Sequence, residues 1–255
     1  MHLNNLYYNC KIKCDKVAKK GKMMLNEKNF NLDGQWSPNP FETMPKFYRH
    51  RAQDNNPMVF GDIYQSEINI AIWQRKLHAT LQNSVKTFLS LNPIFQREMI
   101  LKPQDALSRI SESFDNNMAE VSEDIAELVE MFCYLFELKE VGMRLKVLDR
   151  TMCPKFHVDR VPCRLVTTYQ GIATEWLPHE VLDYTKLGWG SNGLPDSESG
   201  LYQKERDIQQ LGCGDVALLK GTLWDGNENA GLVHRSPVLP ANEKRLILTL
   251  DFISN

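Results

Sequence analysis

Apolar residues recur at helical spacing through the first half of the chain and at every second position through much of the second. Helical periodicity begins after Gly61, where Trp73, Leu77, Leu81, Val85 and Phe88 fall on one stripe. Asn92-Pro93 ends it, because a residue before proline is pushed out of the helical region. A second amphipathic run covers about 104–118, with Leu107, Ile110 and Phe114 turned inward. A third starts after Ser122, an N-cap, with Glu123 and Asp124 in the first turn where they complement the helix dipole. Its stripe is Ile125, Leu128, Val129, Phe132, Leu135 and Phe136. These aromatics read as core, and the helices as a brace for a sheet.

Near Gly142 the period changes from helical to two. Arg144 to Asp149 alternates polar and apolar, and so does Arg164 to Tyr169, which stops at Gly171. Gly214-Asp215 launches Val216–Leu219, closed by Gly221, and Gly231-Leu232-Val233-His234 follows. Arg245 to Phe252 finishes with Leu246, Leu248, Leu250 and Phe252 on one face. Short strands separated by Gly and Pro turns predict a β-sandwich or barrel, so the fold class is α+β. Residues 183–207 are polar and rich in glycine (Gly188, Gly190, Gly193, Gly200), as expected of a structureless lid-like insertion.

Residues 1–28 carry seven lysines against Asp15 and Glu27 and read as a basic, disordered extension, with Met23 or Met24 as alternative starts. From Asn29 to about Pro57, Pro38, Pro40, Pro45 and Pro57 oppose helix and suggest an extended strap. The expected organisation is therefore an extension (1–28), a strap and helical region (29–141), and a β core (142–255) interrupted at 183–207. With 42% hydrophobic and 24% charged residues the chain is not a disordered or low-complexity one. A net charge of −2 advertises no nucleic acid or membrane partner. No signal peptide or apolar run of about 20 residues is readable, so a cytoplasmic protein with reduced thiols is expected. Cys10 and Cys14 lack a second pair to complete a zinc clip, and phosphate-loop, dinucleotide and nucleophile-elbow motifs are absent.

The informative segment is Cys153-Pro154-Lys155-Phe156-His157-Val158-Asp159. His157 and Asp159, two apart at the end of a strand-like stretch, leave the same face and can fill two positions of a divalent metal. His234, in its own short strand, is the best third ligand. Two histidines and one carboxylate form a facial triad with open positions, the arrangement of non-haem Fe(II) oxygenases. Taken alone, the motif reads more readily as a surface histidine beside a capping aspartate. Arg245 opens the last strand and is expected one strand over from the metal, on the inner face of a barrel, where a guanidinium can bind a carboxylate bidentately. Its plainer reading is a rim salt bridge. Arg164 and Thr168 share a strand face by period two and could add a polar contact. Ser236 beside His234 is no nucleophile pair, because strand neighbours point to opposite faces.

The order His157-x-Asp159, Gly214-Asp215, His234, Arg245 resembles the double-stranded β-helix (jelly-roll) of iron/2-oxoglutarate dioxygenases. More closely, Phe156-His-Val-Asp-Arg160, Arg164–Gly171, Thr174-Glu-Trp-Leu177 and His234-Arg-Ser-Pro237 resemble the bacterial family called domain of unknown function 1826, over about 60–252. The resemblance implies that His157, Asp159 and His234 hold Fe(II) and that Arg245 anchors the far carboxylate of 2-oxoglutarate; the strand face of Arg164 and Thr168 adds these two as assisting contacts. It also keeps zinc in view, through a likeness to zinc-homeostasis neighbourhoods and through Cys153, Cys163 and Cys213 near the same strands; buried apolar roles are the alternative for those thiols. His179 is an outside ligand candidate, and His2, His50 and His78 have no evident partners. Trp176, Trp189 and Trp224 are placed in loops around the mouth. Three readings follow: a metal-dependent oxidoreductase of small-molecule or protein substrate, a non-catalytic zinc-binding or metal-homeostasis protein, and a degenerate barrel kept for protein interactions.

Overall fold

Alternation in the second half of the chain sorts side chains to the two faces of one large sheet. The computed structural model describes residues 48–114 and 118–253. The extension at 1–28, most of the strap, His2, Cys10 and Cys14 lie outside the described residues. In chain order the strands are β1 (His50–Asp54), β2 (Ile68–Trp73), β3 (Gln96–Leu101), β4 (Val141–Leu148), β5 (Cys163–Gln170), β6 (Glu175–Leu177), β7 (Gln209–Gln210), β8 (Val216–Lys220), β9 (Val233–Arg235) and β10 (Arg245–Asp251). The α-helices are α1 (Ala79–Leu91), α2 (Ala106–Ser113) and α3 (Ala119–Leu135). The fold is α+β.

Seven strands form one sheet in the order β1-β2-β8-β5-β10-β4-β3, and β7-β6-β9 form a second, three-stranded sheet. Only β1 and β2 run parallel; the other pairs are antiparallel. These are two sheets rather than one closed ring of strands.

Leu246, Leu248 and Leu250 of β10 are fully buried and face the helices, together with Leu145 of β4, Leu165 of β5 and Leu218 of β8. Ile125, Val129 and Phe132 of α3 and Val85 of α1 meet them there. Burying each such side chain contributes about 1.5–3 kcal/mol, so this layer is the main source of stability. On the opposite face, Ile70, Val166, Ala217, Leu219 and Ile247 pack against Trp176, Leu211 and Leu232 from the small-sheet side. A third cluster, Phe156, Leu177, Leu201, Tyr202 and Val233, lies outside the small sheet. No helix among the described residues is long and apolar enough to cross a membrane.

The first half of the chain differs from its helical reading in four places. Trp73 ends strand β2, in which every residue but that tryptophan is buried. Isoleucine at 68, 70 and 72 favours a central strand covered on both faces, and helix begins only at Ala79. Strand β3 and, before it, β1 also come from this region, so three strands of the large sheet precede residue 142. Helix α2 spans only Ala106–Ser113, and Leu107 on it is 47% exposed while Ile110 and Phe114 are buried. Ser122 is not an N-cap: α3 starts at Ala119, and the buried Ser122 hydroxyl donates to the Met118 carbonyl one turn back. Asp124, now mid-helix, accepts both guanidinium nitrogens of Arg75 (2.5 and 2.9 Å) and the Tyr169 hydroxyl (2.6 Å).

The insertion at 183–207 is also ordered differently from the expectation. It folds as short 3-10 turns at Tyr184–Lys186, Gly188–Ser191 and Glu205–Asp207. Leu201 and Tyr202 anchor it in the cluster outside the small sheet.

Candidate metal centre

The two halves of the site are joined through backbone first. His157 and His234 exchange both N–H···O bonds at 3.0 Å, an isolated antiparallel bridge that extends the small sheet beyond β9. Ser236 N–H continues it by donating to the Cys153 carbonyl at 3.0 Å. The histidine rings consequently lie side by side, with centroids 4.6 Å apart. Along β9 and the residue before it, Leu232 and His234 turn inward and Val233 turns outward, as period two requires.

Asp159 reaches the rings from a loop rather than from a strand. Its carbonyl accepts from Thr222 N–H at 3.1 Å, and the loop lies directly on the backbone of Gly221. A Cβ on Gly221 would stand 2.0 Å from the Val161 carbonyl oxygen and 2.8 Å from that of Asp159, so only glycine lets the loop close down.

His234 Nε2 is 3.3 Å from Asp159 Oδ2, and His157 Nε2 is 3.8 Å from Asp159 Oδ1. The three ligand atoms all lie within 4.8 Å of one another. Two donors about 2.1 Å from a common ion stand between about 3 and 4.2 Å apart, so both carboxylate contacts already fall in the bridging range. The imidazole protons are placed to suit an ion. His157 Nδ1 lies 3.0 Å from the Lys155 carbonyl and His234 Nδ1 lies 3.1 Å from the Leu232 carbonyl. A carbonyl can only accept, so each Nδ1 carries the proton and each Nε2 presents its lone pair. Donor set, tautomers and spacing together fit a divalent metal.

Electrostatics agree. Burial by itself would raise the pKa of Asp159, but its contact with His234 and the charge of Arg164 hold the carboxyl well below the usual range. His157 is lowered by burial and by the neighbouring His234, which keeps it neutral and able to ligate. The site is reachable: the His157 side chain is 37% exposed, whereas Asp159 and His234 are 14% and 9%.

Arg245 is not one strand over from the histidines, because its strand belongs to the large sheet and His234 to the small one. It crosses the gap between sheets. Its guanidinium donates to Thr168 (3.1 and 3.3 Å), Thr174 (2.7 Å) and Ser236 (3.4 Å). Ser236 follows His234 by two positions on the same face, about 6.8 Å along the strand. The residue is 1% exposed, and among the described residues its acceptors are hydroxyls with no carboxylate. Burial draws its pKa down to about 10, opposed only in part by Glu175, so it remains charged at neutral pH. Among the described residues Arg245 makes no rim salt bridge. Gly171 permits the close approach of Arg245: its φ is +89°, and a Cβ there would meet the Lys244 carbonyl oxygen at 2.5 Å.

Thr168 meets Arg245 as its strand face predicts, but Arg164 is committed elsewhere. It grips Asp251 with two bonds (2.7 and 3.0 Å) and Asp159 Oδ2 with a third (2.7 Å). No cysteine joins the cluster of potential ligands among the described residues. Cys163 is buried, burial pushes its thiol pKa far up, and the exposed Cys213 donates to the Thr168 carbonyl. His179 accepts from Arg49 N–H and packs against Tyr48 and Tyr184, and His78 sits at the N-cap of α1. Trp176 is buried in β6, where it lines a cavity with His50 and His179, Trp224 packs on the helix side with Tyr64 and Phe136, and Trp189 is 99% exposed. Thr174, Ser236 and Asp251 escaped the sequence reading as site residues. The signal for Thr174 was its place in the Thr174-Glu-Trp-Leu177 segment, and that for Asp251 was the alternation of the last strand.

A family model described as "Protein of unknown function (DUF1826)" matches residues 54–251. No curated protein matches the chain. Among solved structures, the chain is similar to dioxygenase for auxin oxidation 1 from Arabidopsis thaliana in complex with 2-oxoglutarate, at 9% identity, TM-score 0.43, covering 81% of this chain and 93% of that one. A dioxygenase for auxin oxidation from rice shows 10% identity and TM-score 0.46, covering 81% and 83%. A Pseudomonas putida prolyl-4-hydroxylase shows 12% identity and TM-score 0.42, covering 77% and 97%.

Proposed function

The chain belongs to the family described as "Protein of unknown function (DUF1826)", and from its site we propose that it is a mononuclear non-haem metal-dependent oxidoreductase, a hydroxylase-like dioxygenase that uses Fe(II) and 2-oxoglutarate. In this reading the two facing sheets are a double-stranded β-helix. His157, Asp159 and His234 hold the metal through Nε2, a carboxylate oxygen and Nε2. When bound, ferrous iron with 2-oxoglutarate supplies oxygen activation, which no side chain of this protein could provide.

One observation carries the choice of an oxygenase over a metal carrier: the buried guanidinium of Arg245, held by Thr168, Thr174 and Ser236 without a counter-ion among the described residues. A buried unpaired charge costs several kcal/mol, and a metal carrier has no use for one. A carboxylate entering beside the triad would meet a guanidinium whose plane the three hydroxyls fix; one Nη1 proton is uncommitted, and a hydroxyl must give way for a bidentate pair to form. A His2Asp donor set also suits zinc, and the zinc-handling reading differs only in leaving Arg245 without a task.

The test is addition of 2-oxoglutarate to the ferrous protein without oxygen. Chelation of the iron by the keto acid should produce a visible charge-transfer band in the wild type and not in Arg245→Ala. A protein that holds iron yet gives no band would favour the carrier.

A further inference from the structure

Asp159 is the only triad member that approaches from a loop, so something must fix its carboxylate. The fixing group is visible. Arg164 Nη1 donates to Asp159 Oδ2 at 2.7 Å, while Nε and Nη2 of the same guanidinium are clamped by the two oxygens of Asp251 at 2.7 and 3.0 Å. Arg164 and Asp251 are register partners on the adjacent strands β5 and β10. The guanidinium is therefore mounted on the large sheet, and its free edge is presented across the gap to the loop. All three side chains are largely buried, at 14–21% exposure, where charge-assisted bonds are strongest.

We propose that Asp251 and Arg164 form a positioning relay that makes Asp159 a one-oxygen ligand and sets the affinity and geometry of the metal site. This rests on the metal-binding reading above. Oδ2 takes the Arg164 bond and also faces His234 Nε2 at 3.3 Å, while Oδ1 faces His157 Nε2 at 3.8 Å; with Oδ2 engaged by a cation, Oδ1 is the oxygen left uncommitted for an ion. Arg164 also withdraws charge from the carboxylate and prevents it from turning to chelate through both oxygens. That restraint keeps coordination positions open, which an oxygenase site requires. Asp251 touches no ligand and acts only by holding the Arg164 fork in plane. Burial works against the Arg164 charge, but the hydrogen bonds and charges of Asp251 and Asp159 push its pKa above the usual arginine value.

The experiment measures Co(II) affinity and the Co(II) ligand-field spectrum of the full chain as wild type, Arg164→Lys, Arg164→Gln, Asp251→Asn and Arg164→Gln/Asp251→Asn, each checked for a wild-type circular dichroism spectrum. Asp251→Asn should raise the dissociation constant by roughly 10–100-fold, the usual effect of removing a partner of a metal ligand. Arg164→Gln should do the same and alter the spectrum, because the freed Oδ2 can join the ion; Arg164→Lys should recover part of the affinity by keeping the charge. In the Arg164→Gln background, Asp251→Asn should add nothing further, which a merely structural role would not produce. If either single variant fails to fold, the other and Arg164→Lys still decide. Wild type that binds Co(II) with variants of equal affinity and spectrum would overturn the relay alone. Wild type that takes up no metal would overturn the metal site and the relay with it.

Discussion

Arg245 donates to Thr174 Oγ1 at 2.7 Å, a bond that runs from the first residue of β10 in the large sheet to the residue preceding β6 in the small one. It ties the sheets together beside the triad, yet it leaves a cation buried among hydroxyls. The part-buried Arg75 is treated in the opposite way, with the Asp124 carboxylate on both its outer nitrogens. The contrast sets a guanidinium paired with a carboxylate against one held, among the described residues, by hydroxyls alone.

Filling that place should stabilise the protein. Metal-loaded wild type in 2-oxoglutarate at a hundred times its dissociation constant should gain about 2.7 kcal/mol, seen as a rise in melting temperature. Arg245→Met should retain metal and lose the shift. An equal shift in both proteins would show that the dicarboxylate binds elsewhere.

The Arg75–Asp124–Tyr169 cluster should behave as a structural network. Asp124→Ala leaves Arg75 and the Tyr169 hydroxyl buried without their shared acceptor, and breaking a buried pair from one side costs about 3–5 kcal/mol. Urea denaturation checks this. A loss below about 1 kcal/mol would mean that water replaces the carboxylate.

Lys220 gives a pH-dependent case away from the metal. It is 2% exposed, donates to the Gln65 carbonyl at 2.9 Å and lies 4.8 Å from the Trp224 ring centre. Burial lowers its pKa from 10.5 to about 8. The unfolded chain therefore holds this proton more tightly than the folded one, and stability rises as pH climbs from about 8 to 10.5. Lys220→Met should be more stable than wild type at pH 7, by roughly 3 kcal/mol at most, with the difference shrinking as pH approaches the upper end of that window. Denaturation at pH 7 and 9.5 measures it. A methionine variant that is less stable at both values would show that the ring and carbonyl contacts outweigh the buried charge.

That His157, Asp159 and His234 come together was legible only in part, through the strand face of His234. His234 and Ser236 share a strand face, and period two alone aims them inward. The His157-x-Asp159 pair was found on the wrong ground, since Asp159 is held by Arg164 and by the approach to Gly221 rather than by strand alternation. Arg164 was identified as a site residue, but local sequence could not show that Asp251, reached only through strand pairing, would take its fork. The same limit explains β2. Trp73, Leu77 and Leu81 keep helical spacing by coincidence, and the burial of both strand faces, which favours isoleucine at 68, 70 and 72, is a tertiary fact. Ser122 likewise offers a hydroxyl that caps well, but the helix continues through it because Met118 and Val121 are buried in the core and extend the apolar face upstream.

Gly221→Ala should separate the loop from the rest of the fold. The added methyl collides with the backbone of 159–161, so Asp159 must move off the histidines. Metal affinity should fall more than the modest propensity change of such a substitution would suggest. Unchanged metal affinity with an unchanged melting temperature would mean that the loop is not seated on this glycine.

The most direct measurement is the metal content of protein purified without oxygen, loaded with Fe(II) and freed of excess, counted by inductively coupled plasma mass spectrometry. Wild type should carry about one ion per chain, and Asp159→Ala and His234→Ala should each lose most of it while keeping their circular dichroism spectra, because one of three ligands is gone. Wild-type protein without metal, or variants that retain the wild-type stoichiometry, would contradict a centre built from His157, Asp159 and His234.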